Sequence, residues 1–318
     1  MDQQSHPTRI AVVGCGNVGS TYAYALLLNR LSSEIVLIDA NRAKAEGEAM
    51  DLNHAMPFTY PTRIWAGDFA DCAGAALTVL AAGTNQRPGE TRLDLVKRNN
   101  EIWRQLIPQI VRHNPDGILL IATNPVDILT YAALQLAGLP AERVFGSGTV
   151  LDTARFRYLL SQHFRVDARS VHAFIIGEHG DSEVPVWSLA NIAGMKLEAF
   201  CRAQGTQLSA SARQEIYEQT RDAAYGIIER KGATYYAVAA GLIGITAAIL
   251  RDQNTVFSVS TLIRDYYGIT DVCLSLPTVL NRGGVDRVLK LELEDEEAAG
   301  LRKSAEVLRS MITQLGYK

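Results

Sequence analysis

Three side chains in the middle of the chain carry acid–base and anion-binding chemistry: Asp152, Arg155 and His179. His179 ends an apolar, strand-like run, Phe174-Ile175-Ile176-Gly177-Glu178-His179-Gly180-Asp181-Ser182. Such a run can carry an imidazole from the core to the floor of a cleft, and glycines at 177 and 180 let a ligand or another backbone approach closely. Histidine titrates near neutrality, so it can give and take a proton in one cycle. Asp152 and Arg155 lie in Leu151-Asp152-Thr153-Ala154-Arg155-Phe156-Arg157, which reads as helix. Three residues apart on a helix they share a face. Arg157, two further on, points to roughly the opposite side, so the two arginines cannot serve one small ligand.

The chain opens with a second chemistry-bearing pattern. The apolar run Arg9–Val13 leads into Gly14-Cys15-Gly16-Asn17-Val18-Gly19, followed by a helix-like segment and a second apolar run, Glu34–Ile38, that ends in Asp39. The spacing is G-x-G-x-x-G: Gly14 makes a tight turn, Gly16 lets a pyrophosphate touch the backbone, and Gly19 lets helix pack on strand. The helix N-terminus offers free N–H groups and partial positive charge to the phosphates. A carboxylate about 20 residues beyond the last glycine accepts hydrogen bonds from the adenine ribose. Asp39 is that residue, and its charge favours NAD over a cofactor with a 2′-phosphate.

The elements that must position these residues follow from periodicity. Arg9–Val13, Glu34–Ile38, Thr62–Ala66, Leu77–Ala82, Ile118–Ala122 and Arg143–Phe145 read as strands, with helical segments between most of them. That alternation predicts βαβ units and a doubly wound parallel (Rossmann) sheet with ligands at the carboxyl ends of the strands. Beyond residue 147 the pattern changes. Thr149–Phe164, Leu208–Lys231, Thr234–Leu250 and Glu294–Leu315 read as helices, Ser170–Ile176 as a strand, and Thr255–Arg264 with Ile269–Leu280 as an antiparallel pair. The expected organisation is α/β: a dinucleotide-binding domain over 1–147 and a C-terminal α+β substrate domain over 148–318.

Composition narrows the function classes. A formal net charge of −3 with no basic block argues against nucleic acid as the main partner. Four scattered cysteines with no C-x-x-C suit reduced thiols and predict neither a disulfide frame nor a metal site. The polar start Met1–Thr8 lacks the apolar core of a signal peptide. The nearly apolar stretch Tyr235–Leu250 is shorter than the ~20 residues that span a bilayer and reads as a buried helix. A cytoplasmic protein without membrane contact is expected.

Two polar segments at strand ends complete the set. Gly83-Thr84-Asn85-Gln86-Arg87-Pro88-Gly89-Glu90-Thr91-Arg92 has the make-up of a lid, with Arg92 placed to swing over a substrate. In Thr123-Asn124-Pro125-Val126-Asp127, Asn124 sits at a strand tip. Taken alone, the first reads sooner as a solvated loop, and the second can be a turn before proline.

Taken together and in this order, the motifs resemble the lactate/malate dehydrogenase family, in its branch of bacterial NAD-dependent L-lactate dehydrogenases, from the glycine fingerprint to the C-terminal helix. The resemblance implies His179 as the acid–base group and Asp152 as the carboxylate that orients and charges it. It implies Arg155 as the fork that grips a substrate carboxylate, and Arg92 as the lid arginine that polarises a ketone. Asn124 would bond near the reacting oxygen and Thr234 would line the substrate pocket. Cofactor contacts would fall on Gly14, Gly16, Asn17, Val18, Gly19, Asp39, Gly83 and Asn124. The reaction implied is reversible hydride transfer between L-lactate/pyruvate and NAD⁺/NADH, with no metal.

Gln86, six residues before Arg92, falls where this family reads the C3 substituent. An arginine there serves malate dehydrogenases and a neutral glutamine serves lactate enzymes. Arg87 next door keeps malate dehydrogenase as the alternative, and a non-catalytic dinucleotide sensor is the alternative from another class. Arg157 and His172 stand at the offsets where allosteric members bind fructose 1,6-bisphosphate between subunits, which implies activation by that ligand and a homotetramer.

Overall fold

The computed structural model describes residues 8–84 and 92–317, the side chain of residue 92 excepted. In the first half, strands β1 (Arg9–Val13), β2 (Glu34–Ile38), β3 (Arg63–Ala66), β4 (Ala75–Leu80), β5 (Ile118–Ile121) and β6 (Val144–Gly146) alternate with helices α1 (Asn17–Asn29), α2 (Arg42–His54), α3 (Arg92–His113) and α4 (Val126–Ala137). Strands β1, β2, β4 and β5 are buried almost throughout, as expected of strands covered on both faces. All six pair in parallel, in the order β3-β2-β1-β4-β5-β6. The strand order reverses between β1 and β4, and the crevice at their carboxyl ends is where a doubly wound sheet takes its ligand.

The second half begins with α5 (Val150–Phe164), whose row Asp152, Phe156, Leu160, Phe164 is buried at helical spacing. Its acid therefore lies on the core face of the helix. Short strands follow: β7 (Val171–His172), β8 (Ile175–Ile176), β9 (Val184–Pro185), β10 (Asn191–Ile192) and β11 (Met195–Lys196). Helices α6 (Leu197–Gln204), α7 (Ala210–Lys231) and α8 (Tyr236–Leu250) lead to β12 (Thr255–Ile263), β13 (Val272–Asn281), β14 (Gly284–Val288) and α9 (Asp295–Gln314). The acidic cluster before α9 caps it: Glu294 and Glu297 form a capping box, and three acids occupy the first turn. No helix among the described residues is long and apolar enough to cross a membrane.

One expectation needs correction, and another gains a partner. The run Ser170–Ile176 is not one strand. Its ends pair in different sheets, β7 with β10 and β8 with β9. Between them Ala173 gives its carbonyl to Arg157 Nε at 2.9 Å, and Ile175 gives its N–H to Thr153 Oγ1 at 3.0 Å. Side chains of α5 thus occupy backbone groups that a continuous ladder would need. The antiparallel pair β12–β13 forms as expected, and it does not stand alone. Ser260 of β12 pairs with Gly146 of β6, so β12, β13 and β14 extend the parallel sheet to nine strands. This covers an edge that β6 would otherwise leave open.

Helix α8 reaches back across this boundary and packs on α1, with Tyr22 Oη 2.7 Å from Thr246 Oγ1 in the buried interface. The turn after β1 is thereby braced from both sides. A Cβ on Gly14, at φ +99°, would stand 2.4 Å from Ala82 N, whereas one on Gly16 would meet nothing within 4 Å. Strain at positive φ and overpacking each cost about 1–3 kcal/mol. Gly14→Ala is therefore expected to lower unfolding free energy by roughly 2–6 kcal/mol, and Gly16→Ala to leave it within about 0.5 kcal/mol. Urea denaturation of the two variants side by side checks this, and equal stabilities would contradict the packing described.

Candidate active site

The turn after β1 has the shape of a pyrophosphate cradle. The N-terminus of α1 begins at Gly16 with no side chain capping it and no acid in its first turn. The space above Gly16 is open, while Gly19 lies so close to Gly14 O, 1.9 Å from where its Cβ would be, that only glycine fits. At the tip of β2, Asp39 takes Cys15 N on Oδ2 at 2.7 Å and Asn41 N on Oδ1 at 2.8 Å. Both bonds fix the carboxylate at the rim of the crevice with lone pairs left for ribose hydroxyls. These residues fit a dinucleotide. Gly83 and Asn124 follow β4 and β5 at the same carboxyl end and are exposed there.

Asp152, Arg155 and His179 come together. Asp152 is 2% exposed and holds two cations at once. His179 Nδ1 lies 2.5 Å from its Oδ2, and Arg155 Nη1 donates to its Oδ1 at 2.7 Å. With Nδ1 engaged, Nε2 is the nitrogen left for a ligand. Burial alone pulls the imidazole down, but the Asp152 charge and hydrogen bond, with Asp127 behind them, outweigh it and raise His179 to about 9. Burial likewise pushes Asp152 up, and the His179 and Arg155 charges overcome that and hold its carboxyl below the ordinary aspartate value.

The backbone of the His179 loop is pinned on three sides. Gly177 exchanges hydrogen bonds with Ser275 of β13, Glu178 N donates to Ser304 Oγ of α9, and His179 N donates to Asp127 Oδ2 of α4 at 2.7 Å. A Cβ on Gly177 would lie 2.7 Å from Ser304 Oγ, so the close approach there is to α9 and not to a ligand.

Two cavities meet at this point. One of about 280 Å³ is lined by Asn124, Asp152, Arg155, His179, Glu183 and Arg221 among others. The second, about 80 Å³, runs from Val18 at the start of α1 past Asn124 and Gly148 to His179 and Thr234. Asn124 and His179 belong to both, at the junction of the cofactor side with the other chamber. Arg157 and His172 lie elsewhere. The Arg157 guanidinium sits 5.2 Å from the Phe174 ring beside Ala173, and His172 is exposed. Gln86 and the Arg92 side chain lie outside the described residues. Among the described residues no cluster of His, Cys, Asp or Glu is arranged to hold a metal.

Two buried acids of the site went unassigned from sequence. Asp127 supports the His179 backbone, and burial raises its carboxyl to about 6. Its signal was an acid in the first turn of the otherwise apolar Val126–Ala137. Glu183 lines the larger cavity; an acid directly before Val184-Pro185-Val186 was its only sign.

Comparison with known proteins agrees along the whole chain. Residues 8–146 match the lactate/malate dehydrogenase NAD binding domain, and residues 149–316 match the alpha/beta C-terminal domain of the same family. The chain is 54% identical over 307 residues to an L-lactate dehydrogenase of Acetivibrio thermocellus, covering 96% of this chain and 97% of that one. It is 53% identical over 301 residues to an L-lactate dehydrogenase of Priestia megaterium, covering 95% and 94%. Among solved structures it superposes on a lactate dehydrogenase from a Medee basin deep-sea metagenome library with a TM-score of 0.95 at 45% identity, covering 98% of this chain and 99% of that one.

The charge balance around His179 is directly measurable. In ligand-free protein the His179 imidazole is expected to titrate near 9 by NMR. In Asp152→Asn, where burial persists and the opposing charge is gone, it should fall to the ordinary 6.5 or lower. An unchanged titration in that variant would remove Asp152 as the cause.

Proposed function

The chain belongs to the lactate/malate dehydrogenase family and is an NAD-dependent 2-hydroxy acid dehydrogenase, and from this premise we propose that it interconverts L-lactate and pyruvate. The observation that carries the proposal is the buried Asp152 carboxylate with His179 on one oxygen and Arg155 on the other, at the junction of the two cavities.

Arg155 receives the substrate carboxylate on the part of its fork that Asp152 leaves free, where charge-assisted bonds fix orientation. The reacting oxygen then lies toward His179 Nε2 and Asn124. In the reducing direction protonated His179 donates its Nε2 proton to the ketone oxygen. In the oxidising direction neutral His179 takes the hydroxyl proton. NAD, when bound, supplies or accepts the hydride. Asp152 stays ionised and keeps the imidazolium favoured, so the proton-donating form of His179 is present below about 9 and is lost as pH rises through that value. The converse applies to lactate oxidation. Arg92, from the lid motif, would polarise the ketone once water is excluded, and Thr234 closes the pocket wall beside His179.

Lactate rather than malate is favoured by Gln86, since a second substrate carboxylate would be buried there without a counter-charge. Parallel assays of NADH oxidation with pyruvate and oxaloacetate test this. Wild type should prefer pyruvate, and Gln86→Arg should shift the kcat/KM ratio toward oxaloacetate by at least about 30-fold, as about 2 kcal/mol or more of carboxylate desolvation is relieved. No change in the ratio would reject Gln86 as the discriminating residue.

The reading extends to assembly and regulation. Arg157, whose Nε donates to the Ala173 carbonyl, and the exposed His172 next to that residue form one surface. On a two-fold axis of a cytoplasmic homotetramer, with 1–147 as cofactor domain and 148–318 as substrate domain, two such surfaces would hold fructose 1,6-bisphosphate. The expected outcome is a lower KM for pyruvate with the bisphosphate in wild type and no response in Arg157→Gln. Wild-type KM insensitive to the ligand at neutral pH would defeat the regulatory proposal and leave the catalytic one intact.

A further inference from the structure

The catalytic cluster described above leaves Glu183, on the wall of the larger cavity, without a task. Glu183 is 4% exposed, and its Oε1 is buried without a hydrogen-bond partner among the described residues. It shares the cavity wall with Asp152, Arg155 and His179. Among the described residues no neighbouring cation is committed to it. Arg155 is bonded to Asp152, and Arg221 is turned onto Asp222 through both Nε and Nη2, at 2.8 and 2.9 Å. Tyr217 of α7 donates to the Glu183 carbonyl and not to its carboxyl. Asp181 of the same loop takes Tyr225 Oη. On the far side α9 packs against Val184 through Gly300, and its buried Glu297 is occupied by Ser188.

A second carboxylate this close to Asp152 cannot ionise at the same cost as the first. Asp152 has two cations and Glu183 has none among the described residues, so the negative charge belongs to Asp152. We propose that Glu183 is a positioning residue of the substrate pocket that works as a neutral acid: uncharged, it leaves Arg155 free for the carboxylate of the arriving 2-keto acid, and ionised, it competes for that guanidinium and repels the substrate. This rests on the pyruvate/lactate reading for its substrate, and on geometry alone for the neutral acid. The electrostatics agree. Burial first, and then the Asp152 charge, raise the Glu183 carboxyl to about 8, with His179, Arg155 and Arg221 pulling the other way. The neutral form is therefore present at pH 7 and lost as pH climbs through that value, before His179 itself loses its proton at about 9.

The consequence is a second alkaline ionisation in substrate capture. In wild type, log kcat/KM for pyruvate should fall above neutrality with a limiting slope approaching about −2, one proton from Glu183 and one from His179. In Glu183→Gln, which keeps shape and cannot ionise, the limiting slope should be about −1, and KM near pH 9 should be roughly tenfold below that of wild type. Glu183→Asp should retain the steeper fall. Superimposable wild-type and Glu183→Gln profiles would overturn the proposal. Infrared difference spectroscopy gives a readout that does not need turnover. A protonated carboxylic acid band of wild type should persist at pH 7, disappear between pH 7 and 9, and be missing in Glu183→Gln. A chain inactive on pyruvate that still shows this band would refute the substrate and spare the neutral acid; a chain lacking the band at pH 7 would refute the neutral acid whatever its activity.

Discussion

The buried charge of Asp152 is the constraint around which the rest is arranged. A carboxylate at 2% exposure persists only with partners, and removing one partner of such a group costs about 3–5 kcal/mol. Here the partners are the two groups that meet a substrate. One oxygen fixes the tautomer and charge of His179, and the other accepts a hydrogen bond from Arg155 Nη1. The interaction that satisfies the core is thus the one that orients the chemistry. It also explains why Asp152 continues the apolar row Phe156, Leu160, Phe164: the helix must present the acid from its packed face for both cations to reach it.

The acid–base geometry also depends on what lies behind the imidazole. The loop carrying His179 touches β13, α4 and α9 through backbone hydrogen bonds, so its position is set by three elements distant in sequence. Rigid support of this kind limits the orientational freedom that would otherwise be lost on reaching the reactive geometry. The raised proton affinity of His179 also favours the folded state: it is fully present below the ordinary histidine value of 6.5 and disappears as pH rises through about 9.

Much of this could be read from the chain before any coordinates. Apolar runs alternating with helical periodicity gave the six parallel strands to within a few residues, because strands buried on both faces carry little besides apolar side chains. The glycine pattern was legible because each glycine answers a separate steric demand, two of them met by backbone atoms closer than any Cβ allows. The union of β12 with β6 was not legible. Strand pairing between residues 146 and 260 leaves no local pattern, and an antiparallel pair looks the same whether it stands alone or completes another sheet. The break in Ser170–Ile176 was hidden for a related reason, since Arg157 and Thr153 divert its backbone groups from another element. Asp152, Arg155 and His179 were found because they are polar where polarity is conspicuous. Asp127 and Glu183 were not assigned, since a buried acid in an apolar setting is recognisable only once its surroundings are known.

The pairing of Ser260 with Gly146 has a consequence for biosynthesis. A ribosome releases the whole parallel sheet long before it releases β12, and during that interval the outer side of β6 is an unpaired, sticky template for other nascent chains. Tyr22 waits as long for Thr246, its buried hydroxyl partner on α8. The first half can collapse early, but only the arrival of α8 and β12 seals it, so a transcript truncated before residue 246 would yield a product prone to aggregate rather than a smaller working protein.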